Sequence, residues 1–193
     1  MAVRDLRDLN VWWELADPDH QHHGRARHYW EAESHAQVAF CRTTMLGLLR
    51  LLTHPKVIRG APFTPAEAWN IYRAFMALPE VACLPENPRM ESRFAAWTDR
   101  SGFIAHRWTD EWLASHAVAT ASRLVSFDSD FRAFEGLSFL HLSSVVGAIP
   151  EFDGSYRFEM HGSWVPSVHL LVPSTPVVLP SSDTKPECAG EAP

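Results

Sequence analysis

At 193 residues the chain is long enough for one domain with a full core and too short for two large ones. Hydrophobic content of 46% and charged content of 21% are those of an ordinary soluble globular protein. A formal charge of −6 argues against coating nucleic acid through bulk positive charge, though not against an enzyme that grips it locally while holding metal with acids. Positive charge is almost wholly arginine, with Lys56 and Lys185 the only lysines. Cys41, Cys83 and Cys188 are far apart and match no zinc spacing, which reads as a reducing, cytoplasmic setting. The opening MAVRDLRDL carries charges where a signal peptide needs an apolar core, and no apolar run approaches the roughly 18 residues of a membrane span.

In chain order, a strand is expected over about 3–9, although Arg4, Asp5 and Arg7 make it unusually polar. A helix follows from Asn10 to about Ala16, stopped by Asp17-Pro18-Asp19. Asp19 is placed to cap a second helix running to about Ser34. Gln37–Cys41 reads as a buried strand, and Thr43 or Thr44 opens a helix that ends before His54-Pro55. Thr64-Pro65-Ala66-Glu67 is a capping box with proline at the first helical position, opening a helix to about Leu78. Val81–Leu84 is a strand and Arg89–Asp99 a helix. Gly102–Arg107 is a connection, and Thr109 caps a helix over Asp110 to about Ala121. Arg123–Ser126 is a strand, Phe127–Phe134 a turn with a short helix, and Ser138–Leu142 the last strand. This alternation specifies a three-layer α/β/α domain with a central parallel sheet over residues 1–142. Composition changes beyond about Ser143, where residues 143–193 read as a proline-rich extension. Seven of the fourteen prolines lie at or after Pro150, and 147–172 is expected to add irregular strand before a loose tail over 177–193.

In a parallel α/β sheet, ligands bind beyond the carboxyl ends of the strands. Asp8 ends the first strand, Asp110 opens the late helix, and Asp128 follows the strand Arg123–Ser126, with Asp130 two residues on. Converging carboxylates repel one another and persist where a cation compensates them; oxygen ligands suit magnesium or manganese. Each acid also has an ordinary explanation, as a strand-end turn, a first-turn helix residue or an Asx turn. His20, His22 and His23 resemble half of a metal motif but are better explained by a helix start at the surface. Arg50 is a candidate phosphate contact, and Arg107 and Arg132 are weaker ones. Trp12, Trp13, Trp69, Trp97, Trp108 and Trp112 have base-stacking chemistry, but their helical spacing favours core or dimer contacts for most.

Four segments carry a resemblance. Asp8-Leu9-Asn10-Val11-Trp12, with Asp17-Pro18-Asp19-His20 after it, resembles the opening of PIN-domain toxins of the VapC type. Leu48-Leu49-Arg50-Leu51-Leu52-Thr53-His54-Pro55 resembles their third-helix signature. Thr109-Asp110-Glu111-Trp112-Leu113-Ala114 resembles the segment holding a later catalytic aspartate. Leu124 to Phe131, followed by Phe134-Glu135-Gly136-Leu137, resembles the closing motif. Order and spacing agree across about residues 3–142. The resemblance implies a magnesium-dependent endoribonuclease, the toxin of a type II toxin–antitoxin pair, usually dimeric and neutralised by an antitoxin protein. Asp8 and Asp110 would be the principal metal ligands and Asp128 would complete the catalytic cluster, with Asp130 beside it. Asn10 would support Asp8 by hydrogen bonding or cap the first helix. One departure stands out: where the family normally carries a glutamate, or sometimes a glutamine, near the start of the third helix, this chain has Thr43-Thr44-Met45-Leu46-Gly47, with no acid, and Thr44 offers only a hydroxyl. That departure and the polar first strand keep open an alternative, a catalytically impaired module that only binds a protein partner.

Overall fold

The computed structural model describes residues 4–58, 61–99 and 104–143. The expected irregular strand over 147–172 and the tail over 177–193 lie outside the described residues. Five parallel strands form one sheet: β1 (Arg4–Arg7), β2 (Gln37–Cys41), β3 (Val81–Leu84), β4 (Arg123–Ser126) and β5 (Phe139–His141). Their order is β3-β2-β1-β4-β5. The chain steps outward from β1 through β2 to β3, then returns to lay β4 against the other edge of β1. β5 pairs beyond β4, with Ser126 opposite His141.

Six α-helices cover the sheet: α1 (Leu9–Ala16), α2 (His23–His28), α3 (Arg42–Leu52), α4 (Pro65–Met76), α5 (Arg89–Thr98) and α6 (Trp108–Ala119). Side chains alternate across a strand, so β2 sends Val38 and Phe40 to one face and Ala39 and Cys41 to the other. The first face packs against α1 to α4, where the Trp12 ring stacks on Phe40 with centroids 3.6 Å apart. The second packs against α5 and α6 through Leu113, Ala114, Ala117 and Trp97. The result is the expected three-layer α/β/α sandwich.

Local chemistry sets the helix starts. Thr64 accepts from the Glu67 N–H at 3.3 Å and Glu67 accepts from the Thr64 N–H at 2.7 Å, the two halves of the capping box that opens α4. Two other expected caps are different. Asp19 does not open α2; its N–H donates to the Asp17 carboxylate in a turn, and α2 starts at His23. The helix runs on as a π turn over Tyr29–Glu33, in which the Ser34 N–H reaches back to the Tyr29 carbonyl at 2.9 Å. Thr109 does not cap α6, because the helix already begins at Trp108.

The polar first strand has a physical cause. Asp5 and Arg7 are fully buried. Arg123 stands opposite Asp5 on β4 and donates Nε to Oδ1 and a terminal nitrogen to Oδ2, both at 2.8 Å. The Tyr29 hydroxyl (2.6 Å) and the His35 N–H (3.0 Å) also donate to this carboxylate, and His35 Nδ1 lies 2.7 Å from Oδ1. Burial alone would raise the Asp5 pKa, but the hydrogen bonds from Arg123, Tyr29 and His35 outweigh it and hold the carboxyl below its ordinary value. Arg7 lies over the Trp30 ring, with its guanidinium carbon 3.7 Å from the centroid. The polarity that looked irregular is therefore a buried ionic and aromatic cluster.

Candidate metal centre at the strand-order reversal

The strand order reverses between β1 and β4, and the crevice outside the carboxyl ends of such a pair is where α/β sheets bind ligands. Asp8 is the first residue past β1. Its N–H still bonds the Val125 carbonyl on β4 at 2.9 Å, which keeps the two chain ends side by side. Asp8, not Asn10, is the N-cap of α1, and its Oδ1 accepts from the Leu9 N–H at 2.6 Å. Asp128 leaves β4 on the same edge. α6 runs antiparallel to the β4 that follows it, so its N-terminal turn, which holds Asp110, returns to this edge. The positive end of the helix dipole favours an acid there.

Ser126, the fully buried last residue of β4, ties the centre together. Its hydroxyl donates to Asp8 Oδ2 at 2.7 Å. It accepts from Asn10 Nδ2 and from the Asp128 N–H, both at 2.9 Å. One donor and two acceptor sites are all used. Asn10 Oδ1 in turn accepts from the Phe127 N–H at 3.3 Å. Asn10 therefore reaches Asp8 through the Ser126 hydroxyl. The signal for Ser126 is its place between a buried strand and an acid, but its convergence with Asp8 and Asn10 spans more than a hundred residues and cannot be read locally.

Burial raises the pKa of Asp8; the hydrogen bonds from Ser126 and Leu9 lower it, and the negative charges of Asp110 and Asp128 raise it further. The carboxyl is pushed up to about 6. Three acids from separate parts of the chain thus act on one another electrostatically. As they stand, no three His, Cys, Asp or Glu side chains among the described residues close into a metal-ligand set. The donor chemistry nevertheless fits a hard divalent cation: the groups are carboxylate oxygens, and a cation would offset the burial that chiefly disfavours the charged Asp8 as well as the smaller repulsion from Asp110 and Asp128.

The other expected residues fall elsewhere or into other roles. Asp130 is exposed; its N–H donates to Asp128 Oδ1 at 2.8 Å, so it shapes the turn that aims Asp128. Thr44 is buried and its hydroxyl is engaged at the start of α3, accepting from the Cys41 N–H at 3.0 Å and donating to the Cys41 carbonyl at 3.1 Å. It is a capping group, not a contributor to the acidic centre. Arg50 is exposed in the last turn of α3. That helix starts at the carboxyl edge and runs about 16 Å away from it, so Arg50 is remote from the acids. Arg107 packs its guanidinium over the Phe134 ring at 5.3 Å. The histidine cluster belongs to the start of α2, with His20 paired to the buried Glu14 and His23 Nδ1 at 2.7 Å from the Glu14 carbonyl. Trp12, Trp13 and Trp97 are buried, whereas Trp69 and Trp108 are exposed.

The PIN domain family model matches residues 7–137. Ribonuclease VapC41 of Mycobacterium tuberculosis is 34% identical over 139 residues, covering 68% of this chain and 94% of that protein. Ribonuclease VapC33 of the same organism is 26% identical over 134 residues, with 68% and 93% covered. Among solved structures, VapC20 of M. tuberculosis, described as a sarcin-ricin loop cleaving toxin, aligns with a TM-score of 0.53 at 16% identity, covering 67% of this chain and 93% of that one. A chain of VapBC-1 from nontypeable Haemophilus influenzae gives 0.55 at 13% identity, with 72% and 98% covered. At those identities the structural matches speak for the fold.

Proposed function

The chain belongs to the PIN-domain family, in its VapC branch, and from that premise we propose that it is a metal-dependent endoribonuclease, the toxin of a type II toxin–antitoxin pair. The relatives' names supply ribonuclease as the reaction class. The observation that carries the reading for this chain is the placement of Asp8 at the strand-order reversal, its carboxylate held by Ser126 and within electrostatic reach of Asp110 and Asp128. Asp8, Asp110 and Asp128 are the residues that would hold the metal, which we assign as magnesium, with manganese able to substitute. When bound, magnesium supplies Lewis-acid polarisation of the phosphodiester and makes a water molecule more acidic.

The chain's own groups do the rest. Ser126 and Leu9 fix the Asp8 carboxylate in one orientation. Asn10 holds the Ser126 hydroxyl and the Phe127 backbone, so Asp8 and Asp128 keep their spacing. Water adds to phosphorus in line, the P–O bond to the leaving nucleoside breaks, and that oxygen takes up a proton. The partners follow from the same reading: an RNA substrate, an antitoxin protein and a second copy of the chain, in the cytoplasm. No helix of the described residues is long and apolar enough to cross a membrane. Purified protein is expected to cut RNA when magnesium is present and to stop when a chelator is added; cleavage that persists in excess chelator contradicts the proposal.

One observation favours a second reading. The start of α3, where the resemblance leads one to expect an acid, has none in Thr43–Gly47, and the hydroxyl of Thr44 there is occupied by Cys41. A module with too few carboxylates would bind a protein partner and no metal. Magnesium titration by calorimetry separates the two: binding at millimolar concentration or below supports the nuclease, and its absence supports the binding module.

A further inference from the structure

Next to the acids stands a side-chain relay outside the carboxylate centre described above. Arg132 is exposed on the 3-10 turn Ser129–Ala133, which follows Asp128. One of its terminal nitrogens lies 2.9 Å from His141 Nδ1, and His141 Nε2 lies 3.0 Å from the Phe127 carbonyl. Hydrogen-bond chemistry fixes the roles. A guanidinium only donates, so Nδ1 is the acceptor; a carbonyl only accepts, so Nε2 carries the proton. His141 is thereby clamped between Arg132 and the backbone that joins Ser126 to Asp128. It reaches that position because β5 pairs with β4 and sets His141 opposite Ser126.

The choice of partner is informative. Asp128, Asp130 and Glu135 all lie within four residues of Arg132, yet none of them forms an ion pair with it among the described residues. The histidine orients the guanidinium without cancelling its charge. A chain of net charge −6 with an acidic centre repels a polyanion, so a substrate phosphate at this edge needs a local, oriented cation. Arginine presents a planar fork suited to phosphate oxygens. The geometry points to Arg132 as the side chain that grips an RNA phosphate beside the scissile bond, with His141 as the residue that positions it. This rests on the ribonuclease reading above.

The test is binding of a short single-stranded oligoribonucleotide to the full chain, measured by fluorescence anisotropy across a salt series with chelator present, together with steady-state cleavage in magnesium. Arg132→Ala is expected to weaken binding about tenfold and to reduce the slope of log affinity against log salt by about 0.7. Arg132→Lys keeps the salt slope, because the charge remains. His141→Phe keeps the slope and raises KM more than it lowers kcat, since the guanidinium is still charged but no longer held. His141→Gln, which can accept from Arg132 and donate to the Phe127 carbonyl, restores the wild-type KM. Thermal melting confirms that each variant is folded. If wild-type protein cuts RNA and Arg132→Ala binds it with unchanged affinity and salt slope, the Arg132 assignment is wrong while the nuclease reading stands; Arg132 would then face a protein partner. If the wild type neither binds nor cuts RNA, both fail together.

Discussion

Among single residues, Ser126 links the parts of the acidic centre. A buried hydroxyl that donates to Asp8 and accepts from Asn10 and Asp128 holds two acids from distant segments in one register. Such supporting groups typically matter by roughly ten- to a hundredfold in metal affinity. Ser126→Ala should therefore weaken magnesium binding by about that factor while leaving the protein folded; unchanged affinity would show that the hydroxyl is only a strand-end filler. Asp8 itself sets a pH dependence. Its pKa in the fold, about 6, lies above its ordinary value of 3.8, so the fold favours the protonated carboxyl. Without metal, its stability contribution is fully present below pH 3.8 and is lost as pH rises through 6. Metal binding needs the ionised form. Magnesium should accordingly raise the melting temperature at pH 7.5 and have little effect at pH 5, and an equal shift at both would remove Asp8 from the ligand set.

At the scale of elements, β1 carries two separate tasks along four residues. Its Asp5 anchors the amino-terminal side of the sheet to β4 through Arg123, and its end delivers Asp8 to the opposite edge. The two lie on the order of 10 Å apart along the strand. Removing one partner of a buried ion pair costs about 3 kcal/mol. Asp5→Asn should therefore lower unfolding free energy by about that amount while magnesium affinity per folded molecule stays the same. Because the Asp5 pKa is held down, the stability it gives is present at neutral pH and is lost as pH falls below the ordinary carboxylate range. Denaturant melts over a pH series from 7 downward should find the variant's deficit largest at pH 7 and shrinking as pH falls.

The same elements explain what could be read from the sequence. The strands Gln37–Cys41, Val81–Leu84 and Arg123–Ser126 were legible residue for residue because short apolar runs are bounded by helix starts and turns. The capping box at Thr64 likewise specified the first residue of α4. The polarity of β1 was opaque, since the partners that bury Asp5 and Arg7 lie on distant segments. The choice of Asp8, Asp110 and Asp128 came from the resemblance, and sheet order accounts for Asp8 lying within electrostatic reach of the other two. The partners of Thr44 and Asn10 and the placement of Arg50 were not legible, because they depend on which neighbour a side chain meets: Thr44 meets Cys41, Asn10 meets Ser126, and Arg50 is carried by α3 to the far end of the sheet.

At the scale of the whole molecule, topology makes the site. β1 is central, and the chain passes outward on one side before returning to the other, so the ends of β1 and β4 open onto one crevice. Acids delivered there by a strand end, a helix start and a turn form a centre that no single segment contains. Members of the family that matches residues 7–137 share this fold with this chain, and the proposed chemistry would depend on this chain's own three carboxylates acting as a unit. The most direct measurement is magnesium-dependent cleavage of RNA by the wild type beside Asp8→Asn, Asp110→Asn and Asp128→Asn, each checked for folding. Cleavage by every variant should fall to the level seen without added metal. Full activity in a folded Asp8→Asn or Asp110→Asn protein would contradict the account.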